Sequence, residues 1–178
     1  MGVRELIAPE IAGRLKKEKT DLENVDQDAD NPVFNKYTDL YAMAYHIFAL
    51  LMNGSSPFGF IANMEEILQH PSKNVSSIDI DPFYAAEKGE FVFARHFLFQ
   101  KTPDYALKYK MLSMELRTLF ERAFIGGAKD PTVRPDAMEF YNALTEYFQS
   151  LKKCECGHYM PSNYKGECEW CRINRAEG

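Results

Sequence analysis

The sequence predicts a mainly α-helical body over residues 1–150, followed by a small metal-binding tail over residues 151–178. Three observations carry that expectation. Tyr37 to Asn53 is an almost unbroken apolar run of helical length that stops at Gly54. Apolar residues recur at helical spacing twice more, in Leu116–Phe124 and in Ala137–Leu151. All four cysteines, Cys154, Cys156, Cys168 and Cys171, fall in the tail and none in the body.

Composition sets the outer bounds. At 178 residues the chain is one domain, or one domain plus an appendage. Apolar residues make up 46% and charged residues 26%, the balance of a folded globular protein. A net charge of −5 argues against a nucleic-acid binder that works by bulk electrostatics. The longest uncharged apolar run, Leu40–Met52, is too short to cross a bilayer. No secretory leader opens the chain, so the expected location is the cytoplasm, without a membrane.

The elements follow in chain order. Leu6 to Leu15 is a short apolar piece, succeeded by Lys16-Lys17-Glu18-Lys19 and an acidic stretch from Asp21 to Asp30. The acidic stretch reads as a solvated loop. It is no calcium loop, because no glycine sits at its centre and no glutamate closes it. In the helix from Tyr37 to Asn53, Thr38 or Asp39 can cap the start and Gly54 suits a left-handed end. Leu40, Ala44, Ile47, Phe48 and Leu51 form one stripe, yet Tyr41, Ala42, Tyr45, Ala49 and Leu50 make the other faces apolar too. A helix apolar all round is expected to be buried and central.

Beyond Gly54 the pattern is less regular. Met64–Gln69 reads as a short helix, Ser72–Ser77 as a polar loop, and Asp81-Pro82 through Glu87 as a helical piece closed by Gly89. Glu90 to Gln100 alternates enough to be extended. Leu116, Leu119, Phe120, Ala123 and Phe124 then mark a helix that Gly126-Gly127 is expected to end. After the turns Asp130-Pro131 and Arg134-Pro135, the residues Ala137, Phe140, Tyr141, Leu144, Phe148 and Leu151 mark a last amphipathic helix, with Pro135 near its first turn.

The tail has two half-sites, Cys154-Glu155-Cys156-Gly157-His158 and Cys168-Glu169-Trp170-Cys171. Thiolates paired over so short a span suit a structural zinc site, a ribbon or knuckle, in a reducing compartment. Ligand softness and spacing favour Cys154, Cys156, Cys168 and Cys171 as the four ligands, with His158 close enough to replace one cysteine. A redox role for Cys-x-x-Cys is disfavoured, since no strand–helix unit is expected to place Cys168 at a helix start. A segment this small has little core, so bound metal supplies its folding free energy.

Three anchors of the body stand in a telling order. Ala8-Pro9-Glu10 comes first, then Thr38-Asp39-Leu40-Tyr41 opening a helix that runs into Asn53-Gly54-Ser55-Ser56-Pro57-Phe58, then Asp130-Pro131-Thr132-Val133-Arg134-Pro135. Over roughly residues 2–150 this resembles the C-terminal lobe of bacterial eukaryotic-like Ser/Thr protein kinases, from the end of the activation segment onward. Tyr41 stands where those kinases have Trp, and Ala44 where they have Gly. The tail resembles the zinc ribbon that follows the kinase domain in some bacterial kinase-like proteins.

The resemblance implies an ion pair between Glu10 and Arg134. It also implies a buried carboxylate, Asp39, at the start of the central helix, receiving backbone N–H bonds from the catalytic loop of a complete kinase. It further implies that catalysis lies elsewhere. No Gly-x-Gly-x-x-Gly, His-Arg-Asp or Asp-Phe-Gly occurs here, so this chain alone is expected to carry no catalytic residues and no ATP or Mg site. On this reading the chain is a fragment, its first partner is the missing N-terminal kinase region, and ATP and Mg belong to the complete parent. The alternative is a non-catalytic module that docks a protein or a nucleic acid. Strong nucleic-acid binding is not expected: Lys152, Lys153, Lys165, Arg172 and Arg175 against Glu155, Glu167, Glu169 and Glu177 leave the tail at +1 and the rest at −6.

Overall fold

The computed structural model describes residues 6–12, 34–62, 68–69, 82–95 and 100–176. The acidic stretch after Lys19, the loop Ser72–Ser77 and most of the helix expected at Met64–Gln69 lie outside them. The described chain is mainly helical, with two short hairpin-like strand pairs. None of its helices is long and apolar enough to cross a membrane.

Helix α1 spans Lys36–Leu51. Its cap is Asn35 rather than Thr38 or Asp39: the Asn35 side chain accepts from the Tyr37 N–H at 2.8 Å, while Thr38 Oγ1 accepts from the Asn35 N–H at 3.1 Å. This reciprocal box turns Thr38 inward. Asp39, one position on, is carried about 100° round the helix and is exposed, not buried as the family resemblance implied. At the far end Asn53 (φ 55°) and Gly54 (φ 76°) both turn left-handed.

Burial of α1 is one-sided. Thr38, Tyr41, Ala44, Phe48 and Met52 are buried, His46 is exposed, and Leu50 is 84% exposed. An all-apolar sequence cannot reveal which face its neighbours will cover. Here they cover the Phe48 face. The Phe48 ring meets Phe91, Phe93, Phe120 and Phe124 edge-on, with centroids 5.0 to 6.0 Å apart. Edge-to-face pairs place positive ring edges on negative faces and add about 1 kcal/mol each beyond area burial. This aromatic cluster is the centre of the core.

Helix α2, Pro82–Lys88, ends at Gly89 with φ 65°. The described part of the segment after it, Glu90–Arg95, is not extended as expected. Phe91 and Val92 are both buried in succession, which a strand with one covered face cannot do, and the Ala94 and Arg95 N–H groups both bond back to the Phe91 carbonyl. Among the described residues of this segment, Gln100–Lys101 (β2) pairs, antiparallel, with Ile61–Ala62 (β1).

Helix α3, Met114–Glu121, is capped by Ser113, whose side chain accepts from the Leu116 N–H at 3.2 Å. It does not end at Gly126-Gly127. The chain continues through π-helical Arg122–Gly126 to Lys129, and both glycines are right-handed helical. Gly127 serves closeness, not termination: a Cβ there would stand 2.6 Å from Arg134 Cγ. Helix α4, Ala137–Gln149, starts in a capping box between Asp136 and Glu139 and packs Phe140 and Ala143 inward, leaving Tyr141 and Phe148 exposed. Strands β3 (Leu151–Lys153) and β4 (Tyr159–Pro161) form a hairpin, and helix α5, Glu169–Ala176, closes the tail.

Candidate metal centre

The hairpin fixes the first two donors. Its register runs Leu151–Pro161, Lys152–Met160, Lys153–Tyr159, so Cys154 and His158 face each other next along the ladder. The Cys154 N–H donates to the His158 carbonyl and the Gly157 N–H donates to the Cys154 carbonyl, both at 2.9 Å. Gly157 takes φ 83°, which lets the chain reverse within the turn. Opposed residues of a hairpin share a face, which brings Cys154 and His158 to one side. Cys156 rides the tip of the turn and is exposed.

The other two donors come from the start of α5. Cys168 immediately precedes the helix and its carbonyl accepts from the Arg172 N–H at 3.0 Å. Cys171 lies in the first helical turn, so three residues of separation return it to the same face. The tail therefore holds a helix as well as a hairpin. A helix does stand at Cys168, contrary to the sequence expectation: eight residues with no long apolar pattern gave no periodic signal.

Cys154, His158, Cys168 and Cys171 have donor atoms all within 4.8 Å of one another, a group that can hold a metal ion such as zinc. His158 Nδ1 lies 3.8 Å from Cys154 Sγ, 3.9 Å from Cys168 Sγ and 3.5 Å from Cys171 Sγ. Zn–S and Zn–N bonds of about 2.3 and 2.0 Å at tetrahedral angles place sulfur and nitrogen about 3.5 Å apart, so the donor spacing fits. The structure thus brings together three of the four cysteines named from sequence. The fourth member of that group is His158; the Cys156 thiol lies outside it, although it contacts the Cys171 thiol.

The thiols are electrostatically mismatched. Burial pushes Cys154 up, but bonds from the His158 backbone, the Cys168 thiol and the Cys156 backbone outweigh it and bring Cys154 to about 7. Cys171 is pushed up to about 12, first by its contact with the Cys156 thiol and then by burial and the other two thiols. A bound cation removes that conflict, because coordination favours the thiolate at every position.

A second feature fastens this centre to the body. The Glu169 carboxylate is fully buried and meets three partners: Lys108 Nζ at 2.8 Å, Arg172 Nε at 2.7 Å and the Tyr164 hydroxyl at 2.9 Å. Arg172 also donates to the Asp104 and Ala106 carbonyls at 3.0 and 2.9 Å. These charge-assisted bonds hold Glu169 below the usual carboxylate range against the upward push of its burial. Met160, Cys168 and Ile173 join the body's own apolar cluster. Sequence reasoning gave Glu169 no role, since a carboxylate between two cysteines looks like any solvated charge.

The remaining predicted residues lie at and around the first turns of α1. Arg134, whose side chain is wholly buried, donates through Nη1 and Nη2 to the two Glu10 oxygens, each at 2.7 Å. The same two nitrogens donate to the Tyr37 carbonyl at 2.8 Å and the Gly127 carbonyl at 2.7 Å, and the guanidinium lies over the Tyr41 ring at 5.2 Å. Asp39 keeps its place in the first turn of α1, where a carboxylate suits the helix dipole, but touches none of these groups. Among known protein families, curated proteins and solved structures, none matches this chain.

Proposed function

We propose that this chain is the C-terminal lobe of a protein-kinase-like protein of Ser/Thr type, completed by a structural zinc centre. The observation that carries the reading is the Glu10–Arg134 pair. It joins the two ends of the body, 124 positions apart, through a buried bidentate fork seated on Gly127. The order Ala8-Pro9-Glu10, Thr38-Asp39, Arg134-Pro135 supports it, and the pair is what that order implies. In this role the lobe is a scaffold: it pins the segment ending at Glu10, while phosphoryl transfer with Mg-ATP is the work of the catalytic region that comes before such a lobe in complete kinases.

The zinc centre is structural on this proposal. Three thiolates and one imidazole fill a tetrahedral shell, leaving no position for an activated water. What the ion supplies is folding free energy for the hairpin and α5.

The alternative, a non-catalytic docking module, draws on one observation: Tyr141 and Phe148, on the same face of α4, are 64% and 72% exposed. One experiment separates the two. The chain extended through its upstream coding sequence is assayed for ATP-dependent phosphorylation, with Glu10→Gln as a variant. Phosphorylation that Glu10→Gln strongly reduces supports the kinase-like lobe. An extended chain that neither holds Mg-ATP nor phosphorylates overturns it in favour of the docking module.

A further inference from the structure

Between the body and the metal-bearing helix lies a cavity of about 710 Å³. That is within the range of small-molecule sites, roughly 300 to 1,000 Å³. Its walls are chemically one-sided. Six cations line it, and two of them, Lys108 and Arg172, share the buried Glu169. The other four are Arg95, Lys101, Lys110 and Arg117, none of which pairs with a carboxylate among the described residues. The acids on the lining are Asp104 and Glu121. Four cations facing two acids leave two positive charges in excess before Lys108 and Arg172 are counted.

Arg117 adds a second observation. Its Nε is buried and makes no hydrogen bond among the described residues. A buried donor without an acceptor costs about 1–3 kcal/mol, so the position calls for an acceptor from outside. Lysine and arginine side chains only donate, and they outnumber the two carboxylates of the lining, which favours a ligand rich in acceptors. Val92, Ala94 and Leu107 supply an apolar part of the same wall.

We propose that this cavity binds a small organic phosphate: a phosphate monoester carrying an apolar or ring portion. Lys108 and Arg172 against Glu169 add a third positive charge, so a monoester dianion offsets most of the excess, and its three terminal oxygens can accept from several of the four cations at once, where a carboxylate offers two. The apolar wall takes the organic part. This site is separate from the Glu10–Arg134 pin and from the metal donors, and it does not depend on the kinase-like reading.

The test is calorimetric titration of the zinc-loaded chain with phenyl phosphate and with inorganic phosphate. Phenyl phosphate is expected to bind several-fold tighter than inorganic phosphate. Arg117→Ala is expected to weaken it about tenfold or more, the loss of one charge-assisted donor. Lys110→Gln, at an exposed position that does not threaten folding, weakens it in the same direction. Lys129→Gln, outside the cavity, leaves it unchanged. Equal binding of the two anions, no binding at millimolar concentration, or insensitivity to both cavity variants overturns the proposal. Tighter binding of a single-stranded oligonucleotide than of phenyl phosphate also overturns it, in favour of a nucleic-acid surface.

Discussion

Lys108 and Glu169 form a 2.8 Å ion pair in which the carboxylate is fully buried and the ammonium half-exposed. It joins the helical body to the first turn of the metal-bearing helix, within one residue of Cys168. Folding of the tail and its docking on the body are therefore a single arrangement. Glu169→Ala is expected to destabilise the chain by on the order of 3 kcal/mol, because Arg172 and the Tyr164 hydroxyl lose their acceptor together with Lys108. Urea unfolding of the variant against the parent measures this. A change below about 0.5 kcal/mol would show that the carboxylate is not engaged in solution.

Removing the metal should loosen the tail and spare most of the helix. The rings that meet Phe48 come from the body, although Met160, Cys168 and Ile173 of the tail join the wider apolar cluster. Chelation, or Cys168→Ser, is expected to abolish zinc retention, with little loss of helical circular dichroism and a modestly lowered unfolding temperature. Collapse of the whole chain would contradict the division between a self-supporting body and a metal-held segment.

Gly127→Ala tests the seat of the buried fork. The added methyl group would lie 2.6 Å from Arg134 Cγ and 2.8 Å from its Nε, so the guanidinium must leave its position between Glu10 and the Tyr37 carbonyl. The expected cost is about 2–3 kcal/mol, combining overpacking with a weakened ion pair. Glu10→Gln should cost a similar amount, and the double variant less than the sum, since each change disrupts the same contact. Strict additivity in the double-mutant cycle would contradict the coupling.

Acidification should erase one surface contribution in a defined window. The Arg122 guanidinium donates to Glu139 at 2.6 Å, and with the Asp136 N–H it holds that carboxyl below its ordinary value. A folded-state value below the unfolded one means the contribution is complete above the ordinary carboxylate range and is lost as pH falls through the folded value. Both side chains are more than a third exposed, so the pair contributes only about 0.5 kcal/mol. The stability gap between the parent and Glu139→Gln should be present at pH 7 and close below about pH 4. A gap that widens on acidification would contradict the assignment.

Sequence pattern exposed the helices wherever apolar spacing was one-sided, and failed where it was not. The periodic residues lie in helices except Leu151, which starts β3 after the last helix ends at Gln149, and Tyr141 and Phe148 of the α4 stripe face outward while Phe140 and Ala143 are buried. Gly126-Gly127 looked like a stop because glycine usually ends helices. Nothing local shows that Arg134, seven residues on, needs the missing side chain. Helix α5 was invisible for the opposite reason: its apolar face is only Trp170 and Ile173, too short to show a period, and Glu169, Arg172 and the metal donors fix its place as well. His158 was named as a substitute ligand, but the hairpin register that sets it opposite Cys154 is a backbone fact.

The most direct test of the account is the identity of the four metal ligands, read by X-ray absorption at the zinc edge on the zinc-loaded chain and on Cys156→Ser. Three sulfurs at about 2.3 Å and one nitrogen at about 2.0 Å are expected, with the same shell in the variant and one zinc per chain in both. Four sulfurs in the parent, with one lost in Cys156→Ser, would contradict it and place Cys156, not His158, on the metal.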